Sequence, residues 1–473
     1  MTRRKVATWR VLVLALLAGW VALPAAWAGA PVQRADDQNR APVTQTDKPV
    51  ALPPPVPFQA ADTVLLLFCC AIALPMIPAL GHFYGGMARR KNVLSAFQQT
   101  FILLGVIALQ WLLVGYSLAF DRGVLGGFCG GWQWFGLGGV GVDPNAAVAP
   151  RVPHELFVLF QLLVAVFSVA LISGAIVERV KFSSYLVFTL LWSTLVYDPV
   201  AHWVWGPDGW IKKMGGLDFA GGLVVHLTSG LAALCCVSVV GKRQGLDHED
   251  LHPHNLTLTA IGTGLLWFGW QGMNTGAARG ANTAAVAAFV STNLAGAAAI
   301  LSFCLLEYIQ KRRVTVLGAC TGAICGLVAV SPAAGYVSPL GAFATGFMVA
   351  PLCYFAIVLK GKLGYDDSLD VFGVHGVGGL AGVLMLGFVA APSLTAGTGG
   401  LLAGNVELLL AQVTAIGAVA VYTVVVTMLL LVAIDRIFGL RVTAEEEDLG
   451  LDLTQHGQRG YLMGEGELIG FEA

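Results

Sequence analysis

Charge is what this sequence is short of. Only 12% of its 473 residues are Asp, Glu, Lys or Arg, where a soluble domain carries about 25%. The shortage runs along the whole chain, which excludes a string of soluble domains. Net charge is −1, so no basic surplus points to a nucleic-acid partner. The nine cysteines lie mostly inside apolar runs, as Cys69, Cys70, Cys235, Cys236, Cys304 and Cys353 do. Only Cys129 falls in a loop, so no disulfide framework follows. The apolar runs also lack the alternation of barrel strands. What remains is hydrophobicity: 56% apolar residues and a mean hydropathy of +0.75. The chain reads as an all-α polytopic membrane protein.

The first apolar run stands apart. A basic start, "MTRRKVATWR", precedes "VLVLALLAGWVAL" and the small-residue stretch "PAAWAGA". That order reads as a signal peptide over residues 1–28, cut near Ala28; an uncleaved first helix is the alternative. Residues 29–60 are polar and proline-rich and read as a flexible extracytoplasmic linker. From Asp62 onward, eleven stretches reach the roughly 20 apolar residues that a spanning helix needs. They fall at 62–85, 95–120, 155–177, 182–204, 219–240, 255–274, 281–306, 315–332, 338–360, 371–392 and 405–437. Residues 61–440 therefore form the transmembrane domain, and 441–473 a charged tail. Alternate loops carry twelve basic residues against five in the opposite set, Arg122, Arg151, Lys212, Lys213 and Arg279. The richer set faces the cytoplasm. The N-terminus is then outside, the C-terminus inside, and the location a cell (inner) membrane.

Ionisable residues inside spans are costly and mark interior paths. The short list is His226, His375, Asp198, Asp218, Asp370, Glu178, Glu307 and Asp435. Glu178, Glu307 and Asp435 adjoin Arg179, Lys311 and Arg436 and read as interfacial. Asp218 and Asp370 suit helix N-caps, and Asp198 has no evident partner. His226 in "DFAGGLVVH" and His375 in "DVFGVHGVGG" sit near the starts of the fifth and tenth spans, each downstream of an aspartate. Two five-helix halves of opposite orientation follow, with the long eleventh helix outside the symmetry. Gly378 and Gly382 form a small-xxx-small pattern that lets backbones approach. Buried singly, either histidine is a packing residue; placed symmetrically, the two are expected to meet, within about 3.5 Å, and to share a proton. A metal site fits poorly, since no third ligand accompanies them. The tryptophans of "AHWVWGPDGW" form an interfacial belt or offer a ring face to a cation.

Seven stretches carry a resemblance: "HFYGGMARRKNVLS", "VAHWVWG", "LDFAGGLVVH", "LHPHNL", "GACTGAICGLVAVSPAAGYV", "DVFGVHGVGG" and "GLRVTAEEEDLGLDLTQHG". In this order they resemble the ammonium transporters of the Amt/Mep type, over nearly all the chain after the linker. The resemblance implies a homotrimer of eleven-helix subunits in a lipid membrane, each with its own narrow pore for ammonium or ammonia, without cofactor or enzymatic activity. It implies that His226 and His375 are the paired pore histidines. Trp205 and Asp218 then belong to the outer ammonium site, Trp270 lines the pore, and a PII-type signalling protein is the cytoplasmic regulator. Three positions depart from the family pattern. Val164 and Met273 stand where stacked pore phenylalanines are usual, and Ala277 where a serine is. Phe160 or Phe167, a turn from Val164, is the candidate replacement ring. An ammonium sensor on the same scaffold and a neutral-gas channel of the related Rh type are the rival readings.

Overall fold

In the computed structural model, residues 58–246 and 251–461 are described. The expected leader over 1–28 and nearly all of the linker lie outside them. Eight helices among the described residues are long and apolar enough to cross a membrane. They are α1 (Ala60–Met87), α2 (Arg90–Phe120), α3 (His154–Ile176), α5 (Gly222–Val240), α7 (Thr283–Lys311), α9 (Pro339–Leu363), α10 (Phe372–Val389) and α11 (Val406–Phe438). Three further helical stretches complete the order: α4 over 182–205, α6 (Leu256–Gly276) and the short α8 (Val316–Val330). The long loop after α2 is not wholly irregular, because Gly123–Val124 pairs antiparallel with Cys129–Gly130. That hairpin qualifies the all-α expectation.

Helices α5 and α10 cross at the centre of the bundle with backbone nearly against backbone. A Cβ on Gly230 would lie 2.2 Å from the amide nitrogen of Gly376, and one on Gly379 would lie 2.8 Å from both the Gly222 carbonyl and His226 Cβ. Only glycine permits such an approach. The small-xxx-small pair points elsewhere: Gly378 and Gly382 face Val328 and Ala329 of α8. Gly376 and Gly379 make the contact with α5 instead.

Polar groups gather at the end of the bundle where α5 finishes and α10 begins. Arg243 grips Asp366 with two bonds of 2.9 Å, and Arg89 Nε reaches Glu178 at 2.6 Å. Glu178 is fully buried just past the end of α3, and its charge needs Arg89 and Arg243 beside it; its sequence neighbour Arg179 is not the partner. Glu307 accepts from Thr315 and lies 3.5 Å from Lys311. Asp435 is exposed and accepts from Leu440 N. Asp198 does have a partner, since Gln110 Nε2 donates to it at 2.6 Å.

The tail docks on this same end. Two short helices, α12 (Ala444–Leu449) and α13 (Leu451–His456), follow a capping box made by Thr443 and Glu446. Asp452 accepts from the backbone N–H groups of Leu94 (3.0 Å) and Ser95 (2.7 Å) in α2. Asn92 accepts from Leu451 N at 2.8 Å, and the His456 ring meets Phe182 edge-on at 4.8 Å. Burial pushes the Asp452 carboxyl up to about 6, against those N–H bonds, and lowers the His456 ring. A free aspartate titrates near 3.9. The docked carboxyl therefore binds its proton more tightly than the free one, so its share of docking strengthens as pH falls through about 6 and is lost as pH rises. His456 works in the opposite sense, because protonation charges a ring that docking partly buries. In a His456→Gln variant the Asp452 contribution is no longer opposed by that ring. Protection of the tail from limited proteolysis should then be greater at pH 5 than at pH 7.5, and adding Asp452→Asn should flatten that dependence. Weaker protection on acidification of His456→Gln contradicts this assignment.

Candidate functional site

Both histidines sit in π-helical turns, Gly222–Leu227 for His226 and Phe372–Gly376 for His375. Such a turn widens the helix by one residue and re-aims its side chains, and it is common at functional sites. Each is held by an aspartate eight residues before its histidine. The Asp218 carboxylate accepts from the N–H groups of Gly221, Gly222, Leu223 and Val224 at 2.7–3.2 Å. Asp367 does the same for Val371 (3.0 Å) and Phe372 (2.7 Å). These bonds satisfy donors that a helix start leaves open. The expected cap Asp370 is not the one used. It has a left-handed backbone (φ 62°) and pairs with Lys360. The counterpart of Asp218 is Asp367, three residues earlier.

With the backbones this close, the imidazoles meet. His226 Nδ1 and His375 Nδ1 are 3.2 Å apart, with ring planes tilted by 25°. Two nitrogens at that distance form a hydrogen bond only when one carries a proton and the other a lone pair. Trp270 lies nearly parallel to His226, centroids 5.5 Å apart, and its Nε1 donates to Ser331 Oγ at 2.9 Å. Phe167 meets Trp270 edge-on.

Above His226 opens a cavity of about 320 Å³. It brings together nine of the ten pore residues singled out from sequence: His226, Trp205, Asp218, Trp270, Val164, Met273, Ala277, Phe160 and Phe167. His375 lies behind His226 and does not line it. At the outer end, Trp205 Nε1 donates to the Asp218 carbonyl at 2.8 Å, which fixes the indole over the opening. With its carboxylate engaged by four N–H groups, Asp218 shapes the wall rather than offering a free oxygen. Phe160 packs on Gly276, where a Cβ would be 2.3 Å from its ring. Gln161, Asn274, Lys212, Arg279 and Tyr336 also line the space, and sequence reasoning passed over them. Gln161 and Asn274 had a usable signal, being uncharged amides within apolar spans and three residues before Val164 and Ala277 respectively. Among the described residues no cluster of three His, Cys, Asp or Glu side chains is arranged to hold a metal.

The glycine contact is open to a direct check. Gly379→Ala should push α5 from α10 and cost on the order of 1–3 kcal/mol of stability, as overpacking does. Its thermal midpoint in detergent should fall, whereas Gly105→Ala, with no atom near the added methyl, should hold or slightly raise the midpoint. An unshifted midpoint for Gly379→Ala means that the helices are not held this closely.

The chain was compared with known proteins. The family model described as Ammonium Transporter Family matches residues 64–461. A Bacillus subtilis protein described as an ammonium transporter is 45% identical over 406 residues, covering 85% of this chain and 99% of that protein. The crystal structure of Saccharomyces cerevisiae Mep2 superposes with a TM-score of 0.77 at 35% identity, over 82% of this chain and 91% of that one. A structure described as a sensor Amt protein superposes at 0.76 with 26% identity, over 84% and 98%.

Proposed function

We propose, for a chain that belongs to the ammonium transporter family and moves ammonium across a membrane, that the substrate passes through the cavity between Trp205 and the two imidazoles. The observation that carries this reading is the 3.2 Å Nδ1 to Nδ1 contact directly beneath that cavity. Ammonium entering from the Trp205 side loses part of its water. Ring faces at Trp205 and Phe160 compensate some of that loss through attraction to their π electrons. A full charge in the apolar interior remains expensive. Ammonium can leave its proton behind and continue as ammonia; potassium, of similar size, has no such option. Trp270 and the histidine pair line the next step. A proton arriving at one imidazole can move along the Nδ1–Nδ1 bond to the other, because each ring fixes the tautomer of its neighbour. Val164 and Met273 leave the entrance without stacked rings, so ammonium meets aliphatic walls before it reaches Trp270.

In this reading eleven helices span the membrane, α1 to α11. The five from α1 to α5 and the five from α6 to α10 form the inverted halves, each closing on an Asp-capped π turn with its histidine. The N-terminus is outside after removal of residues 1–28, the tail is cytoplasmic, and three copies form the transporter in a cell (inner) membrane. The docked tail is the surface that a PII-type regulator would address.

The test is ammonium-evoked current and internal pH in proteoliposomes. The wild-type protein should give one or both signals, current for charged transport and pH change alone for ammonia. His226→Ala and His375→Ala should each retain the fold and lose at least about tenfold of the wild-type rate, the scale of a lost general acid–base group. Rates unchanged in both variants contradict a role for the pair, and a silent wild-type protein favours a sensor.

A further inference from the structure

Two buried amides in the cavity have no part in holding the fold at their oxygen atoms. Gln161 Oε1 and Asn274 Oδ1 are buried, and neither has a hydrogen-bond partner among the described residues. Both side chains line the cavity, with Gln161 8% exposed and Asn274 0%. The orientation of Asn274 follows from its neighbour. Thr292 Oγ1 donates to the Ala288 carbonyl at 2.6 Å, so at its 2.9 Å contact with Asn274 the hydroxyl oxygen accepts. The amide nitrogen of Asn274 therefore points at Thr292, and its oxygen is the atom left over. Leaving a buried acceptor unpaired carries a desolvation penalty, which a visiting donor removes.

Of the other polar groups around the cavity, the Tyr336 hydroxyl and a His226 ring nitrogen can accept, but the remaining groups that stand nearest the entrance cannot. Trp205 and Trp270 have donors only, and the Asp218 carboxylate already accepts four N–H bonds. The placement of the two amides is also telling. Gln161 lies three residues before Val164 on α3, and Asn274 adjoins Met273 and lies three before Ala277 on α6. Residues three apart share a helix face. The two free oxygens thus stand beside the three positions that lack a ring or a hydroxyl.

We infer that Gln161 and Asn274 are the acceptors that hold partly dehydrated ammonium in this cavity, through N–H···O bonds to their side-chain oxygens. Two directional acceptors favour an ion with tetrahedrally placed donors over potassium, which offers none. The inference rests on the transport reading for its consequence in flux, but binding can be measured without flux.

The experiment pairs uptake by proteoliposomes with the thermal stabilisation that ammonium chloride gives over potassium chloride in detergent. Gln161→Leu and Asn274→Leu should each raise KM about tenfold, the effect of one hydrogen bond to a charged group, and shrink the ammonium-specific stabilisation. Thr292→Val, which loosens the Asn274 amide but removes neither acceptor, should raise KM and shrink the stabilisation less than Asn274→Leu does. Ala277→Ser added to Asn274→Leu should restore part of the affinity by returning an acceptor one turn away. Unchanged KM and stabilisation in the two leucine variants overturn the inference, as does an equal shift in Thr292→Val. A wild-type protein without flux refutes the transport reading alone, and the stabilisation series still decides whether these amides bind the ion.

Discussion

The contact between α5 and α10 at Gly230, Gly376 and Gly379 is the constraint on which the rest depends. At 2.2 Å from a virtual Cβ to the Gly376 nitrogen, any side chain there would move the helices apart. Several ångströms of extra separation would leave the two imidazoles unable to meet, whatever their rotamers. The π turns then set direction: one extra residue in each turn swings a histidine toward the other helix instead of along its own face. Asp218 and Asp367 satisfy the N–H groups that these irregular starts expose. A short chain of causes runs from glycine to close backbones, to widened turns, to a bonded ring pair.

The two ends of the bundle are built on different principles. The cavity is lined mainly by apolar and aromatic side chains, and the carboxylate among its lining residues, Asp218, is committed to backbone N–H groups. The tail end is a dense ionic network in which Arg89, Arg243, Glu178 and Asp366 are largely buried and mutually paired. Removing one member of such a network leaves another charge buried and unpaired, which costs several kcal/mol. Arg441, just past α11, joins the tail to it by pairing with Glu447 at 2.8 Å, while Glu447 also accepts from Gln244 N at 2.7 Å. The loop after α5 and the tail are thereby held by one carboxylate.

Much of this was legible in the sequence because hydrocarbon permits few solutions. Long apolar runs placed α1 to α11 to within a few residues, and two histidines in glycine-rich helices announced their own meeting. What stayed hidden depends on three-dimensional partners. Asp370 is nearer to His375 than Asp367 is, and adjoins the helix start, so a linear rule prefers it; Lys360 draws it away. Glu178 adjoins Arg179 in sequence, yet Arg89 and Arg243 are its partners, contributed by distant helix ends. Asp198 finds Gln110 across 88 positions of chain. The vacant acceptors of Gln161 and Asn274 are invisible in sequence, because they show only once Thr292 is seen to take the nitrogen of Asn274 and no described residue is seen to bond either oxygen.

The central claim is that the two imidazoles share a single proton between their Nδ1 atoms. Nitrogen-15 magnetic resonance of histidine-labelled protein in bilayers at pH 7 reads this directly. The account predicts one protonated and one unprotonated Nδ1, with a scalar coupling across the bond that disappears in His375→Ala. Two Nδ1 atoms in the same protonation state, or no coupling between them, would contradict it.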